Sequence, residues 1–291
     1  QQYIHLLTTS GSGMTSDLWL PSTSGVPPEK SKQFALGITK SIGQSGFYVS
    51  IEGYTKKMFG LVTFKEGAAF FAGTESWEDK LETGGLGRSK GIEFLVQKST
   101  GKITGWISYT LSKTTRQFEN INNGLEYPFN YDKPHDFAIV VKQRITDNID
   151  LSASWVYSTG LPITIALSKH KTMTTKGETN ANYPDMFLSL DDYAYLYGRK
   201  NSFRMRDYHR MDVGFNFSKK KKHGTRVWSV SVYNAYNRKN AIYYYFGDTY
   251  ETVKETDENG NIMLVNKKTG TALKQMNYFP IMPSFTYSFR F

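Results

Sequence analysis

Few residues in this sequence have types and spacing suited to chemistry. Five histidines (His5, His135, His170, His209 and His223) are spread over 291 residues, and no two stand at i+2 or i+4. Close spacing is what brings two imidazoles onto one ion, so no preformed metal site is expected. His135-Asp136, and Asp207 with His209, pair an acid with a histidine, as a hydrolase does to activate water. Asp191-Asp192 could supply paired carboxylates to the same chemistry. The plainer reading is polar residues where loops meet strands, so no catalytic residue is assigned. Gly84-Gly85-Leu86-Gly87-Arg88-Ser89-Lys90 is glycine-rich but lacks the G-x-x-x-x-G-K-[ST] spacing that cradles phosphate. Asp257-Glu258-Asn259-Gly260-Asn261 looks like part of a calcium loop but lacks its bidentate Glu. Asn259-Gly260 lies between Glu251–Lys254 and Ile262–Val265, the pattern of a hairpin with a type I′ turn. No cofactor is expected.

Two tyrosine-rich stretches remain as binding candidates. Tyr193, Tyr195, Tyr197 and Phe203 fall in one long polar segment, and Tyr243, Tyr244 and Tyr245 fall in another, followed by Tyr250. A tyrosine offers a flat apolar face and a polar tip, which suits sugars, haem edges and aromatic chelators. The competing reading is that these rings pack loop against loop or against a partner.

Composition removes several classes. With no cysteine there is no disulfide framework, thiolate metal site or cysteine nucleophile. A mean hydropathy of −0.49 accompanies the absence of any apolar run near the ~18 residues of a spanning helix. Yet 20 Tyr, 19 Phe and 5 Trp are many aromatics for so polar a chain, and they exclude disorder. The net charge of +10 raises a nucleic-acid reading. Only Lys219–Lys222 forms a basic block, however, and it reads as a solvated turn between strands, so no nucleic acid is expected. The start at Gln1 fits a processed protein or a piece of a longer one.

The elements that must carry these residues are strands. Leu151-Ser152-Ala153-Ser154-Trp155, Ser229-Val230-Ser231-Val232-Tyr233 and Phe285-Thr286-Tyr287-Ser288-Phe289 alternate strictly, one face apolar and one polar. Period-two reading places about ten strands at 1–8, 32–41, 46–57, 89–98, 102–115, 134–145, 149–159, 207–218, 226–237 and 280–291. Short turns at 42–45, 99–101, 146–148 and 219–225 alternate with long loops at 9–31, 58–88, 116–133, 160–206 and 238–279. That short–long rhythm predicts an all-β fold, a transmembrane antiparallel β-barrel with its long loops on one rim.

Several motifs then gain meaning together. They are Tyr127-Pro128-Phe129-Asn130-Tyr131-Asp132 with His135-Asp136, Leu151 to Gly160, Tyr208-His209-Arg210-Met211-Asp212, Val232-Tyr233-Asn234-Ala235-Tyr236-Asn237-Arg238-Lys239-Asn240 and Phe279-Pro280-Ile281-Met282-Pro283-Ser284-Phe285. In this order and spacing the chain resembles the C-terminal barrel of TonB-dependent outer-membrane receptors of the Bacteroidota type. Lys133-Pro134 departs from the two basic residues usual before that histidine. The resemblance implies that residues 1–291 are the C-terminal portion of a 22-stranded barrel in the outer membrane of a Gram-negative bacterium. Its expected partners are outer-membrane lipid, an N-terminal plug and further barrel strands outside this chain, TonB–ExbB–ExbD acting through the plug, and a surface lipoprotein lid. The implied function is active uptake of a scarce or bulky nutrient: siderophore, haem, cobalamin, oligosaccharide or peptide. The alternatives are a free-standing ten-stranded barrel enzyme, a rim protease or lipase, and a secreted glycan-binding sheet protein.

Overall fold

The computed structural model describes residues 4–8, 17–66, 76–171, 193–256 and 260–291. Among these there is no α-helix, only strands and three short 3-10 turns. The strands are β1 (Ile4–Thr8), β2 (Asp17–Pro21), β3 (Lys30–Ile42), β4 (Phe47–Phe64), β5 (Leu81–Lys98), β6 (Ile103–Gln117), β7 (Tyr127–Pro128), β8 (His135–Thr146) and β9 (Ile149–Ser158). They continue with β10 (Pro162–Ile163), β11 (Ala166–Lys171), β12 (Tyr193–Tyr197), β13 (Phe203–Arg204), β14 (Tyr208–Lys221), β15 (Gly224–Tyr233), β16 (Ala241–Thr256), β17 (Ile262–Asn277) and β18 (Met282–Arg290).

One ten-stranded antiparallel sheet dominates, in the order β3-β4-β5-β6-β8-β9-β14-β15-β18, with the short β7 added to β6. Its short turns (β3–β4, β5–β6, β8–β9 and β14–β15) all lie on one rim, and its long connections lie on the other. The expected rhythm is therefore real. β3 and β18 are the two edges, and among the described residues neither pairs with a further strand.

Register makes the two faces continuous across strands. Ile38, Ile51, Phe94, Tyr109, Phe137 and Tyr157 are successive partners, so all six side chains share one face. The same face carries Val213, Phe215, Val230, Phe285, Trp228 and Tyr287. Ring pairs run along it: Phe94–Tyr109 at 6.2 Å, Phe137–Trp155 at 5.5 Å and Trp228–Tyr287 at 4.6 Å between centroids. The opposite face carries Ser50, Glu93, Ser108, Ser154, Asp212, Asn216, Ser229 and Thr286. There Arg210 is clamped by Asp212 and donates to the hydroxyls of Tyr208 and Tyr233 at 2.8 and 2.9 Å.

The apolar face is uncovered. Ile38 is 76% exposed, Leu36 69% and Phe285 65%. Burial gathers instead at the long-loop rim, in two clusters. One joins Leu7, Leu20, Val26, Val62, Phe64 and Leu81, and the other joins Leu61, Phe118, Ile121 and Tyr127.

Three strand expectations change. Residues 4–8 do not enter the main sheet. β1 pairs with β2 alone, because Leu7 and Leu20 bury against the extended top of β4 and His5 is held by Ser22 at 3.0 Å. Both ends of the expected loop 58–88 are strand: β4 and β5 are each 18 residues long, β4 continuing past a bulge at Gly60, whose φ is +66°, to Phe64, and β5 starting at Leu81. The Asn259-Gly260 hairpin is longer than foreseen: β16 and β17 pair from Ala241–Asn277 to Thr256–Ile262. Its tip at 257–259 lies outside the described residues, as does Asp191-Asp192.

Candidate functional site

The long-loop rim is built from the motifs that stood out in the sequence. In the loop after β15, Asn234 and Asn237 take left-handed φ angles of 52° and 53°, which asparagine tolerates better than most residues. The buried Asn234 side chain accepts from Arg238 N–H and donates to the carbonyls of Arg238 and Phe279. Asn240 exchanges two hydrogen bonds with the His209 backbone, at 3.2 and 2.9 Å. These asparagines fix where the β16–β17 ribbon leaves the sheet.

A second lock joins the loop at 128–132 to the one at 199–206. Arg204 ion-pairs with Asp132, and its guanidinium also donates to the carbonyls of Asp132 and Gly160 at 2.9 and 3.1 Å. Asp132 accepts from Thr114 N–H at 2.6 Å. Buried Asn201 donates to Pro128 O at 2.8 Å and Asn130 Oδ1 at 2.6 Å. Gly160 lies where the chain crosses itself, and a Cβ there would meet Met205 O at 1.8 Å.

Beside this lock, on the polar face, a cavity of about 400 Å³ is lined by Glu29, Lys56, Met58, Leu61, Arg116 and Phe129 among others. The Arg116 guanidinium lies 3.9 Å from the Phe129 ring centroid, and its Nε is buried without a hydrogen-bond partner. A cation flat on an aromatic ring, with a donor unspent and a lysine nearby, suits an anionic ligand with a planar part.

Nearby, burial pushes the Tyr127 hydroxyl up to about 12, and Arg116 partly offsets it. Burial also lowers the Lys200 ammonium from its ordinary value, with Glu66 opposing. Because folding raises the Tyr127 pKa, its contribution to stability is intact below the unfolded value near 10 and is lost as pH rises through about 12. Wild type should therefore lose melting temperature relative to Tyr127→Phe between about pH 10 and 12. A constant offset across that range would refute the assignment.

The aromatic candidates divide. Phe203 and Tyr244 meet edge-to-face at 6.2 Å, linking two long connections, and Tyr244 OH accepts from Arg206 N–H at 3.3 Å. Tyr243 and Tyr245 neighbour each other on β16 at 5.9 Å. Tyr197 is exposed at the end of β12. Tyr193 and Tyr195 pair in β12 with Lys171 and Lys169. Among the described side chains, Tyr197, Phe203, Tyr243, Tyr244 and Tyr245 do not line the cavity.

The acid–histidine pairs are also separated by their hydrogen bonds. His135 Nδ1 bonds Tyr109 OH and His209 Nδ1 bonds Tyr236 OH, both at 2.8 Å. Asp207 accepts from Tyr157 OH at 2.8 Å and Gly160 N–H at 3.0 Å. Among the described residues no three His, Asp or Glu side chains converge to hold a metal. Spacing does not mark Arg116, Arg204, Asp132 and Asn201 as site residues, because their partners are not sequence neighbours.

No family model matches the chain, and no curated protein matches it. Among solved structures it is similar to the ferric-catecholate import receptor Fiu from K12 E. coli in its closed form. The identity is 13% and the TM-score 0.47, over 92% of this chain and 30% of that one. It is likewise similar to the outer membrane transporter YddB from Escherichia coli, at 12% identity and TM-score 0.47, over 91% of this chain and 34% of that one. The chain thus spans about a third of the length of either.

Proposed function

We propose that this chain is the C-terminal wall-and-loop portion of a 22-stranded outer-membrane β-barrel that imports a nutrient. In this reading the plug and the remaining strands lie outside the chain, and TonB–ExbB–ExbD supplies energy through the plug. The two-faced sheet carries the proposal. Soluble monomers rarely leave more than a few hundred Å² of contiguous apolar surface uncovered, whereas here it extends over nine strands. A polar opposite face and long loops confined to one rim are what a water-filled barrel in lipid requires.

The open edges favour a larger barrel over a free-standing one. Unpaired backbone groups cost several kcal/mol each in hydrocarbon, and β3 presents a 13-residue edge. Further strands on β3 and β18 would remove that cost. The long loops would capture substrate, and the cavity beside Arg116 favours an anionic one. The polar face would line its path. The rim-hydrolase reading is less favoured, since the Nδ1 of each rim histidine bonds a tyrosine and not an acid.

The chain has no cysteine, so single introduced thiols report cleanly. Spin labels at Ile51→Cys and Ile107→Cys should be relaxed by oxygen, which partitions into lipid. Labels at Ser50→Cys and Ser108→Cys should be relaxed by a water-soluble nickel chelate. Loss of that alternation in native outer membranes would end the membrane reading. For transport, deleting the gene should abolish growth on one among ferric chelates, haem, cobalamin, glycans and peptides, and loss of TonB should reproduce the defect. Unchanged growth on every one would end the importer reading.

A further inference from the structure

Five cations meet on the apolar face just above its belt at the long-loop rim. Register places Lys32, Lys57 and Arg88 side by side on β3, β4 and β5. One step toward the belt, Lys90 of β5 lies directly opposite Lys113 of β6. At a strand spacing of about 5 Å, such like-charge neighbours repel and destabilise the sheet. One acid reaches the group, Glu126, which is 3.8 Å from Arg88 with both partners exposed. Among the described residues no carboxylate ion-pairs with Lys32, Lys57, Lys90 or Lys113. A shallow depression of about 240 Å³ lies among Lys57, Arg88, Lys90, Lys113 and Thr115. The next rows inward are apolar: Leu36, Ile92 and Leu111, then Ile38, Ile51 and Phe94.

We infer that this patch binds the phosphorylated headgroup of an anionic lipid in the leaflet at the long-loop rim. Phosphate oxygens bridge the paired cations while acyl chains lie along the apolar rows beneath. The inference rests on the membrane reading above. A soluble anion would satisfy the charge but leave those rows unused, whereas a lipid satisfies both. The patch faces away from the polar side and from the cavity, so it is separate from substrate capture.

The test is retention of lipid by the protein purified from outer membranes in detergent, read by native mass spectrometry. Bisphosphorylated lipid A, its dephosphorylated form and inorganic phosphate serve as probes. Wild type should hold bisphosphorylated lipid A at least tenfold more tightly than the dephosphorylated form. Lys57→Gln/Arg88→Gln/Lys90→Gln/Lys113→Gln should lose at least tenfold, while Lys219→Gln/Lys221→Gln, at the opposite rim, should be unchanged. Equal binding of dephosphorylated lipid, an equal loss in the opposite-rim variant, or inorganic phosphate binding as tightly as the lipid would overturn the inference. Heat-modifiable gel migration of each sample separates the two ways to fail. If it persists without lipid selectivity, the patch is wrong and the barrel stands. If wild type lacks it, the barrel reading itself is wrong.

Discussion

Arg204→Met should weaken the long-loop rim by about 3–5 kcal/mol, the usual effect of stranding one partner of a buried ion pair. The Asp132 side chain is only 2% exposed. Without the guanidinium its charge would keep one N–H donor, from Thr114, in a site closed to water. The carbonyls of Asp132 and Gly160 would lose a donor as well. The effect should be local, because among the described residues β13 pairs only with the two-residue β10, outside the main sheet. Hydrogen exchange at 128–132 and 199–206 should accelerate while β8 and β9 stay protected. Asp132→Asn added to Arg204→Met should recover part of the loss, since a neutral amide tolerates the site better than a lone carboxylate. Unchanged exchange in the single variant would show that the pair does not hold these loops together. If the loops also shape the cavity, ligand affinity should fall in the same variant.

The wall was legible in the sequence wherever its two faces meet different surroundings. Ser154 and Trp155 point to opposite sides, so period two survives in the residues themselves. It disappears where both sides are buried. Leu61 packs in one rim cluster, while Val62 and Phe64 pack in the other, and this apolar run hides the upper part of β4; in β5 the glycines Gly84, Gly85 and Gly87 break the alternation instead. Residues 4–8 alternate well enough for a wall strand, but nothing local distinguishes the main sheet from a two-stranded ribbon.

The site was less legible because its parts are far apart along the chain. Arg204 finds Asp132 across 72 positions, and Asn201 finds Asn130 across 71. Asn130 and Asp132 stood inside a motif, which marked the loop without revealing what it holds. The five cations of the outer patch span residues 32 to 113, and only strand register assembles them. Tyrosine clustering found the Phe203–Tyr244 contact but not the arginine beside the cavity.

Adjacent residues in β5 should respond oppositely to the same substitution. Phe94 is the middle of three apolar residues, with Ile92 and Val96, on the uncovered face. Phe94→Lys should cost about 2–4 kcal/mol in a bilayer, the range for a lysine facing lipid near the midplane. Glu93 points to the polar face and lies opposite Glu52. Glu93→Lys exchanges a like-charge pair for an opposite one, and a gain of about 0.2–1 kcal/mol is expected. Denaturant titration of folding into lipid vesicles, followed by gel mobility, measures both. In a water-soluble sheet the comparison would collapse: Phe94 is 40% exposed, and a lysine there would lie within about 0.5 kcal/mol of wild type. A small effect at Phe94 would therefore count against the membrane, whereas a large one at Glu93 would mean that the polar face is packed against something drier than a water-filled channel.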